Sequence, residues 1–329
     1  LLKKKNFNVI NVRGEELNIY ILIKLLLTFK KLSYNNYLLN YVASVNPKYI
    51  IHHSINRKFF LLKKYFPEKI TIYIQSEFLN KTEIKFIKQY GLCDYAFLWG
   101  KQDISNFKSI SKNKPKLIGS ILNNKYSHTN KKKQNSILFI SQFRENKKNR
   151  FILNNGKSVN YNLFFKSDIF ILKILADYCN NNKYKLSILL SSKKNILINK
   201  EKEFYHKHLK SNEISFLYST KENFGYQNTL KFQKIFFINS TLGFECLAKN
   251  KSCFFFSIRN KFLNFNYTNL PIPDNGPCWT SSLNKNKILK KIDQFMSNET
   301  KENRKYNYDK YFSKIIAYDK KNKNFKKKN

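Results

Sequence analysis

The chain alternates short apolar runs with longer stretches of helical spacing. One series of runs lies at 7–12, 49–54, 70–75, 95–99 and 116–119, and a second at 137–141, 186–190, 214–218, 235–239 and 252–257. Between two of these runs, residues 167–180 repeat apolar side chains at i, i+3 and i+4, which predicts a helix. Because the runs are continuous and not alternating, they are typical of parallel strands buried on both faces. The pattern therefore predicts an α/β fold.

A polar stretch separates the two series. Residues 123–135, NNKYSHTNKKKQN, have almost no apolar content and include a Lys run, which predicts a linker. Two successive βα sets on either side favour two Rossmann-like parallel-sheet domains facing a cleft, at residues 1–122 and 136–329. The chain begins with Leu1 and not Met, so an incomplete N-terminal domain stays open.

One apolar segment is long enough to be weighed as a membrane span. Residues 19–29, IYILIKLLLTF, are too few for a bilayer and are interrupted by Lys24. The segment is therefore predicted to be a core helix.

The formal net charge of +41 first indicates a nucleic-acid or membrane partner. Only six of the 62 basic residues are Arg, however, and phosphate or base recognition favours Arg for its bidentate geometry. Abundant Lys, Asn, Ile, Phe and Tyr instead match the codon usage of an AT-rich genome. A basic nucleic-acid-binding protein thus stays the alternative function, while attraction to anionic lipid headgroups is expected in either case.

The five cysteines (Cys93, Cys179, Cys246, Cys253 and Cys278) are odd in number, scattered and without a CxxC pair. They indicate buried thiols of a reducing compartment, so a cytoplasmic protein is expected. The sequence has no Asp-x-Asp triplet and no ligand cluster at zinc spacing, so neither a metal nor a cofactor is expected.

One polar cluster follows a predicted strand directly. Ser240 and Thr241 come after the run 235–239 and before a short predicted helix at 242–249. Free N–H groups and the helix dipole make such a place suitable for a diphosphate, and Gly243 would let a ligand approach closely. Simple N-capping by Ser240 or Thr241 is the alternative. Capping does not explain Glu245, which lies four residues after Thr241 where a capping box needs three; an i, i+4 pair with Lys249 stays open.

This cluster, STLGFE at 240–245, resembles the STLGYE signature of bacterial surface-carbohydrate biosynthesis proteins with a glycosyltransferase B (GT-B) type fold. The resemblance covers about residues 136–329 and includes four further segments: LFISQFRE at 138–145, FFFSIR at 254–259, GPCWTS at 276–281 and YDKKNKNF at 318–325.

The resemblance implies a glycosyltransferase-like enzyme of surface polysaccharide or lipopolysaccharide biosynthesis. It would transfer a sugar from a nucleotide-activated donor to a glycan or lipid-linked acceptor, with peripheral contact to the inner leaflet of the membrane. It also implies that Ser240 and Thr241 meet the donor diphosphate, and that Glu245 accepts hydrogen bonds from donor hydroxyls. Arg144 and Arg259 would supply positive charge near the leaving phosphate; for both, a surface salt bridge is the alternative.

The N-terminal half departs from the family pattern. Ser54 stands two places before Asn56 in a segment where the family usually has an acid, and Ser76 and Glu77 replace an Asn and a Gly. After the run 186–190, the chain has Ser191, Ser192 and Lys193 where the family often has Arg.

The departures leave three candidates for the catalytic base, His52, His53 and Glu77, of which one is expected to act. For the two histidines the alternative is packing, and for Glu77 it is helix capping. A divergent family member without catalysis stays a further alternative.

Overall fold

The computed structural model describes residues 17–28, 31–53, 57–79, 81–126, 133–145, 150–152, 158–209, 214–218, 224–265 and 270–326. The helices are α1 (Ile19–Leu27), α2 (Tyr34–Val45), α3 (Arg57–Tyr65), α4 (Lys81–Tyr90), α5 (Lys101–Phe107), α6 (Ile121–Lys125), α7 (Tyr161–Asn181), α8 (Asn195–His208), α9 (Phe224–Lys231), α10 (Thr241–Ala248), α11 (Arg259–Leu263), α12 (Lys285–Asn298), α13 (Lys301–Asn307) and α14 (Lys323–Lys326). A π-helical turn at Tyr308–Phe312 and a 3-10 turn at Lys320–Asn322 lie between the last two helices.

The strands are β1 (Tyr49–His52), β2 (Ile70–Ile74), β3 (Tyr95–Leu98), β4 (Lys116–Leu117), β5 (Lys133–Ile140), β6 (Arg150–Ile152), β7 (Ser158–Asn160), β8 (Lys185–Leu189), β9 (Ser215–Leu217), β10 (Phe232–Phe237), β11 (Ser252–Phe256), β12 (Asn275–Gly276) and β13 (Trp279–Thr280). The predicted strand at 7–12 lies outside the described residues. Each of the other predicted runs contains or overlaps an observed strand, which confirms the α/β class.

The chain divides into two compact units that interleave along the sequence. The first comprises the described parts of Leu1–Ile74, Phe86–Phe97 and Phe107–Pro115, and the second those of Gln75–Lys85, Leu98–Asn106 and Lys116–Asn329. The domain boundaries at residues 122 and 136 stay a prediction.

In the first unit, β1, β2 and β3 pair in parallel. Ile50 of β1 packs with side chains of α2 and α3, whereas Tyr49 and Ile51 are each 50% exposed. Successive side chains of a strand point to opposite faces, and only the Ile50 face of β1 is covered here. The prediction of burial on both faces is therefore wrong for β1.

Helix α1 forms where the sequence predicts it, but it is not a core helix. Ile21 and Leu25 are buried against Tyr37 of α2, while Ile19 and Leu27 are 72% and 74% exposed. The segment is apolar all round, and α2 covers one side of it.

The second unit contains a seven-stranded sheet of order β12-β13-β11-β10-β5-β8-β9. Neighbouring strands are parallel except β12 and β13. All five residues of β11 are buried, as the continuous apolar run predicts. From β5 the chain adds β8 and β9 on one side and then returns to place β10 on the other side. The order therefore reverses between β5 and β10, and such a switch point opens a crevice at the carboxyl ends of the strands.

Both ends of the predicted linker 123–135 lie in regular elements, and the linker itself stays a prediction. Its first residues complete α6 and its last begin β5, while residues 127–132 lie outside the described part. Asn123 and Asn124 are buried because their amides bond to Glu245 O (2.7 Å) and to Ile118 O (2.8 Å). Paired amides can enter the interior at little cost, so residues of a segment with low apolar content can still be buried.

All five cysteines are free and buried, which confirms the predicted burial, while the compartment stays a prediction. Among the described residues, no helix is long and apolar enough to cross a membrane.

Candidate functional site

A cleft of about 400 Å³ lies within the second unit at the switch point of its sheet. Its walls come from the segments that follow β5, β8 and β10 and from the first turns of α9 and α10. The volume is within the range of pockets that bind small molecules. The cleft is where the topology predicts a ligand site.

Helix α10 begins at the cleft without a side-chain cap. Ser240 is the N-cap residue in extended conformation, and its side chain makes no capping hydrogen bond within α10. Ser240 and Thr241 both line the cleft. The N-capping alternative is therefore excluded for Ser240, and the first N–H groups of α10 are left to bind a group in the cleft.

Glu245 lies one turn into α10 and also lines the cleft, although it is only 2% exposed. Its carboxyl accepts hydrogen bonds from Ser120 Oγ and from Tyr226 Oη (3.0 Å). Burial raises the pKa of Glu245 to about 7, and the bonds from Ser120 and Tyr226 and the charge of Lys249 offset only part of this effect. Glu245 is thus a buried carboxyl that changes charge near neutral pH.

Lys249 is not a hydrogen-bonded i, i+4 partner of Glu245. Its ammonium donates to Tyr126 O (2.7 Å), and burial lowers its pKa to about 8. The Tyr126 ring stacks on Tyr226 at 5.2 Å with an interplanar angle of 7°. This stack fixes the hydroxyl of Tyr226 next to Glu245.

Sequence reasoning missed Ser120 and Tyr226. Ser120 follows the apolar run 116–119 directly, just as Ser240 follows 235–239, so the same rule could have found it. Tyr226 carries no comparable signal, because aromatic residues are common throughout this chain.

The loops after β5 and β8 are held by Glu201 of α8, which is fully buried. Its carboxyl accepts from Ser141 Oγ (2.5 Å), Ser191 N (3.0 Å) and Ser192 N (2.9 Å). All three serines line the cleft. Glu201 therefore positions the loops after β5 and β8, which form two walls of the cleft, although it does not line the cleft itself. Nothing in the local sequence separates it from Glu203, which is exposed on the same helix.

Two reciprocal hydrogen bonds between Gln142 and Asn239 span the switch point of the sheet. Gln142 donates to Asn239 O (2.8 Å) and accepts from Asn239 N (3.2 Å). The pair joins the loop after β5 to the loop after β10, which carries Ser240.

Arg144 and Lys193 bring positive charge to the cleft. Both line it and both are exposed. The backbone oxygen of Arg144 accepts from Tyr161 Oη (2.8 Å), which fixes the loop and leaves the guanidinium at the surface of the cleft. Arg144 thus lines the cleft, and its role towards a leaving phosphate stays a prediction. Lys193 stands where the family often has Arg and supplies a charge there.

Arg259 is not brought to the cleft. Its guanidinium is 1% exposed, forms an ion pair with Asp168 (2.5 Å) and lies over the Phe164 ring at 4.3 Å from the ring centre. The prediction that Arg259 lies near the leaving phosphate is corrected accordingly: α11 directs this side chain onto α7.

Gly243 also has a different role from the predicted one. It does not line the cleft, and a Cβ at this position would overlap the Phe237 ring. The glycine therefore lets α10 pack closely on β10 and does not serve a ligand's approach.

None of the three candidate bases is among the residues that line this cleft. His52 is 4% exposed and lies among the rings of Phe59, Phe60 and Tyr73, which matches the packing alternative. His53 is exposed and Glu77 is half-buried. The identity of the base stays a prediction.

Among the described residues, no three His, Cys, Asp or Glu side chains are grouped so as to hold a metal ion. Metal independence of the chemistry stays an expectation.

Similarity to solved structures defines the fold class of the chain. A solved structure of Staphylococcus aureus MnaA with UDP matches with a TM-score of 0.51 at 13% identity, over 96% of this chain and 78% of that one. A UDP-GlcNAc 2-epimerase from Methanocaldococcus jannaschii, in complex with UDP-GlcNAc and UDP, matches with a TM-score of 0.52 at 10% identity, over 91% and 82%. The chain therefore has a GT-B type fold.

The family follows from the sequence match. A family model described as "putative O-antigen biosynthesis protein" matches residues 73–328, which is more than half of the chain. The chain belongs to this family, and the resemblance to surface-carbohydrate biosynthesis proteins is confirmed. No curated protein matches it.

Proposed function

We propose that the protein is a glycosyltransferase that binds a nucleoside-diphosphate sugar in the cleft of the second unit and transfers the sugar to a glycan acceptor during O-antigen assembly. The observation that carries the proposal is the uncapped start of α10 with a buried carboxyl one turn further, both lining the same cleft. The family supports a role in O-antigen biosynthesis, and the UDP complexes of two structures with the same fold support the nucleotide site.

Each group has a role in this proposal. The N–H groups of α10, with the hydroxyls of Ser240 and Thr241, bind the diphosphate. Arg144 and Lys193 offset the charge that develops on the leaving phosphate. Glu245 accepts hydrogen bonds from donor hydroxyls; it lies about 6 Å along the helix axis from Thr241, so one ligand can reach both.

The acceptor is a growing glycan or a lipid-linked saccharide, and the reaction takes place in the cytoplasm with peripheral contact to the inner leaflet. The five free buried thiols support a reducing compartment. The basic composition supports the membrane contact.

Binding of CMP, CDP, UDP, GDP and dTDP tests the donor site by thermal stabilisation and calorimetry. One nucleotide is expected to stabilise the protein, by about 2.7 kcal/mol at a hundred times its Kd. Glu245→Gln should weaken binding of that nucleotide about tenfold or more, because the amide puts a donor nitrogen in place of one acceptor oxygen of the carboxyl. Glu203→Gln, at an exposed position of α8, is the matched control. Unchanged affinity in Glu245→Gln would refute the donor site.

Product analysis tests the reaction. The protein is incubated with sugar derivatives of the nucleotide that binds, with and without lipid-linked acceptors. Acceptor-dependent release of the nucleotide together with a lengthened glycan is expected. Epimerised or hydrolysed sugar formed without an acceptor would rule out transfer and leave the donor site intact.

A further inference from the structure

Helix α1 of the first unit has two apolar faces, and only one of them is covered. Eight of its nine residues are apolar, and Ile21 and Leu25 pack on α2. Five other apolar side chains are at least half exposed: Ile19 at 72%, Tyr20 at 64%, Ile23 at 51%, Leu26 at 57% and Leu27 at 74%.

The exposed side chains form one continuous stripe. Successive residues of an α-helix are about 100° apart, so the five lie within an arc of about 120° on the side opposite to Ile21 and Leu25. Lys24 borders this arc next to Tyr20, and its ammonium donates to Ser44 Oγ (3.2 Å). Exposed Leu17 and Leu32 flank the helix at its two ends.

A stripe of this kind indicates a contact surface. Helices that are apolar all round are normally buried, and contiguous exposed apolar patches mark protein or membrane interfaces. A polar border with Lys next to aromatic and aliphatic side chains is the pattern of a helix that lies in the plane of a membrane interface.

The positive charge of the chain indicates which partner binds the stripe. Lys24 borders the stripe, and the whole chain carries a formal net charge of +41 at pH 7. A second copy would bring the same charge to the interface and be repelled, whereas an anionic bilayer attracts it.

We infer that the stripe on α1, defined by Ile19, Tyr20, Ile23, Leu26 and Leu27, inserts into the headgroup region of a membrane rich in anionic phospholipid. The inference rests on the peripheral membrane contact in the proposed function and names its surface. Vesicle binding needs neither donor nor acceptor, so its failure would leave the donor site untouched.

Flotation of the full chain with vesicles tests the inference, using phosphatidylcholine alone and phosphatidylcholine mixed with phosphatidylglycerol. The parent is expected to bind the anionic vesicles. The double variant Ile19→Gln/Ile23→Gln should lower the partition coefficient about tenfold or more for each side chain, because each removes a buried apolar contact with lipid. Gln is a good helix former and both positions are exposed, so α1 should persist.

Ile196→Gln is the matched control. Ile196 is also 72% exposed and also lies in the first turn of a helix, α8 of the second unit. It should leave vesicle binding unchanged, with the melting temperatures of both variants equal to that of the parent.

Three results would overturn the inference. Equal binding of the double variant and the parent would mean that general basicity alone attracts lipid. Absence of vesicle binding by the parent would mean that the stripe does not contact lipid. A dimer in sedimentation that the double variant loses would assign the stripe to a second copy.

Discussion

The raised pKa of Glu245 makes stability depend on pH in a direction that a single substitution can test. Burial raises this pKa from 4.5 to about 7. Ser120 and Tyr226 both donate to Oε1 of Glu245, so in Glu245→Gln the amide oxygen in that place can still accept from both. The variant therefore removes the titration and keeps the hydrogen-bonded arrangement.

The size of the effect on the free energy of unfolding follows from the difference between the pKa values of Glu245 in the folded and unfolded states. Between pH 4.5 and about 7 the folded state keeps the proton on Glu245 while the unfolded state has lost it, so stability falls as pH rises. Each pH unit of that difference is worth about 1.4 kcal/mol, which gives a penalty of about 3 kcal/mol that is complete above the folded pKa. Glu245→Gln carries no such penalty.

Urea unfolding of parent and variant between about pH 4.5 and about pH 8 measures the effect as a difference between the two free energies of unfolding. The difference should shift by about 3 kcal/mol in favour of the variant as pH rises through this window. Other buried acids, such as Asp103 with a pKa raised to about 7 by burial, contribute equally to both proteins and cancel. Glu203→Gln controls for loss of an exposed carboxyl.

A difference that stays constant with pH would refute the reasoning. It would mean that Glu245 titrates alike in the folded and unfolded states, as a solvated carboxyl does. A shift in favour of the parent would mean that hydrogen bonds, and not burial, dominate its environment.

Three further predictions concern the cleft, the buried ion pair and the charge. Glu201→Ala leaves the half-buried backbone N–H groups of Ser191 and Ser192 without their acceptor, so nucleotide affinity should fall about tenfold or more, while Glu203→Ala changes nothing. Equal affinity of both variants by calorimetry would refute the positioning role. Arg259→Ala should destabilise folding by about 3–5 kcal/mol through the uncompensated charge of Asp168, with Asp168→Leu/Arg259→Met recovering most of it in urea unfolding. The folded fraction of Arg259→Ala should bind nucleotide as the parent does, and a lost affinity would return Arg259 to the donor site. Binding to DNA or RNA should be weak, indifferent to sequence and lost at physiological salt, and sequence-selective binding that survives there would favour the alternative function.

The sequence anticipated elements whose signals are local. Buried parallel strands of the second unit are continuous apolar runs, so β8, β10 and β11 stand close to where they were predicted. Ser240 and Thr241 directly follow such a run, and the end of a parallel strand faces the ligand crevice whatever the rest of the chain does. That is why both were found without knowledge of the fold.

Other assignments depended on packing between distant segments. Arg144 and Arg259 look alike in sequence, but one remains at the cleft and the other is buried against Phe164 because α11 packs on α7. The position of Gly243 after the strand predicts close approach of a ligand. In the structure its missing Cβ makes room for the Phe237 ring.

By itself, then, the sequence determined the α/β class, the position of the helix start that follows β10 and the burial of the cysteines, because each depends on a periodicity or a residue type within one short segment. Only the tertiary structure decided that Glu245 is bonded to Ser120 and Tyr226, and that Glu201 supports two walls of the cleft. Those contacts join residues up to 125 positions apart. Burial and hydrogen bonding at such separations follow from the packing of whole elements, which no local pattern encodes.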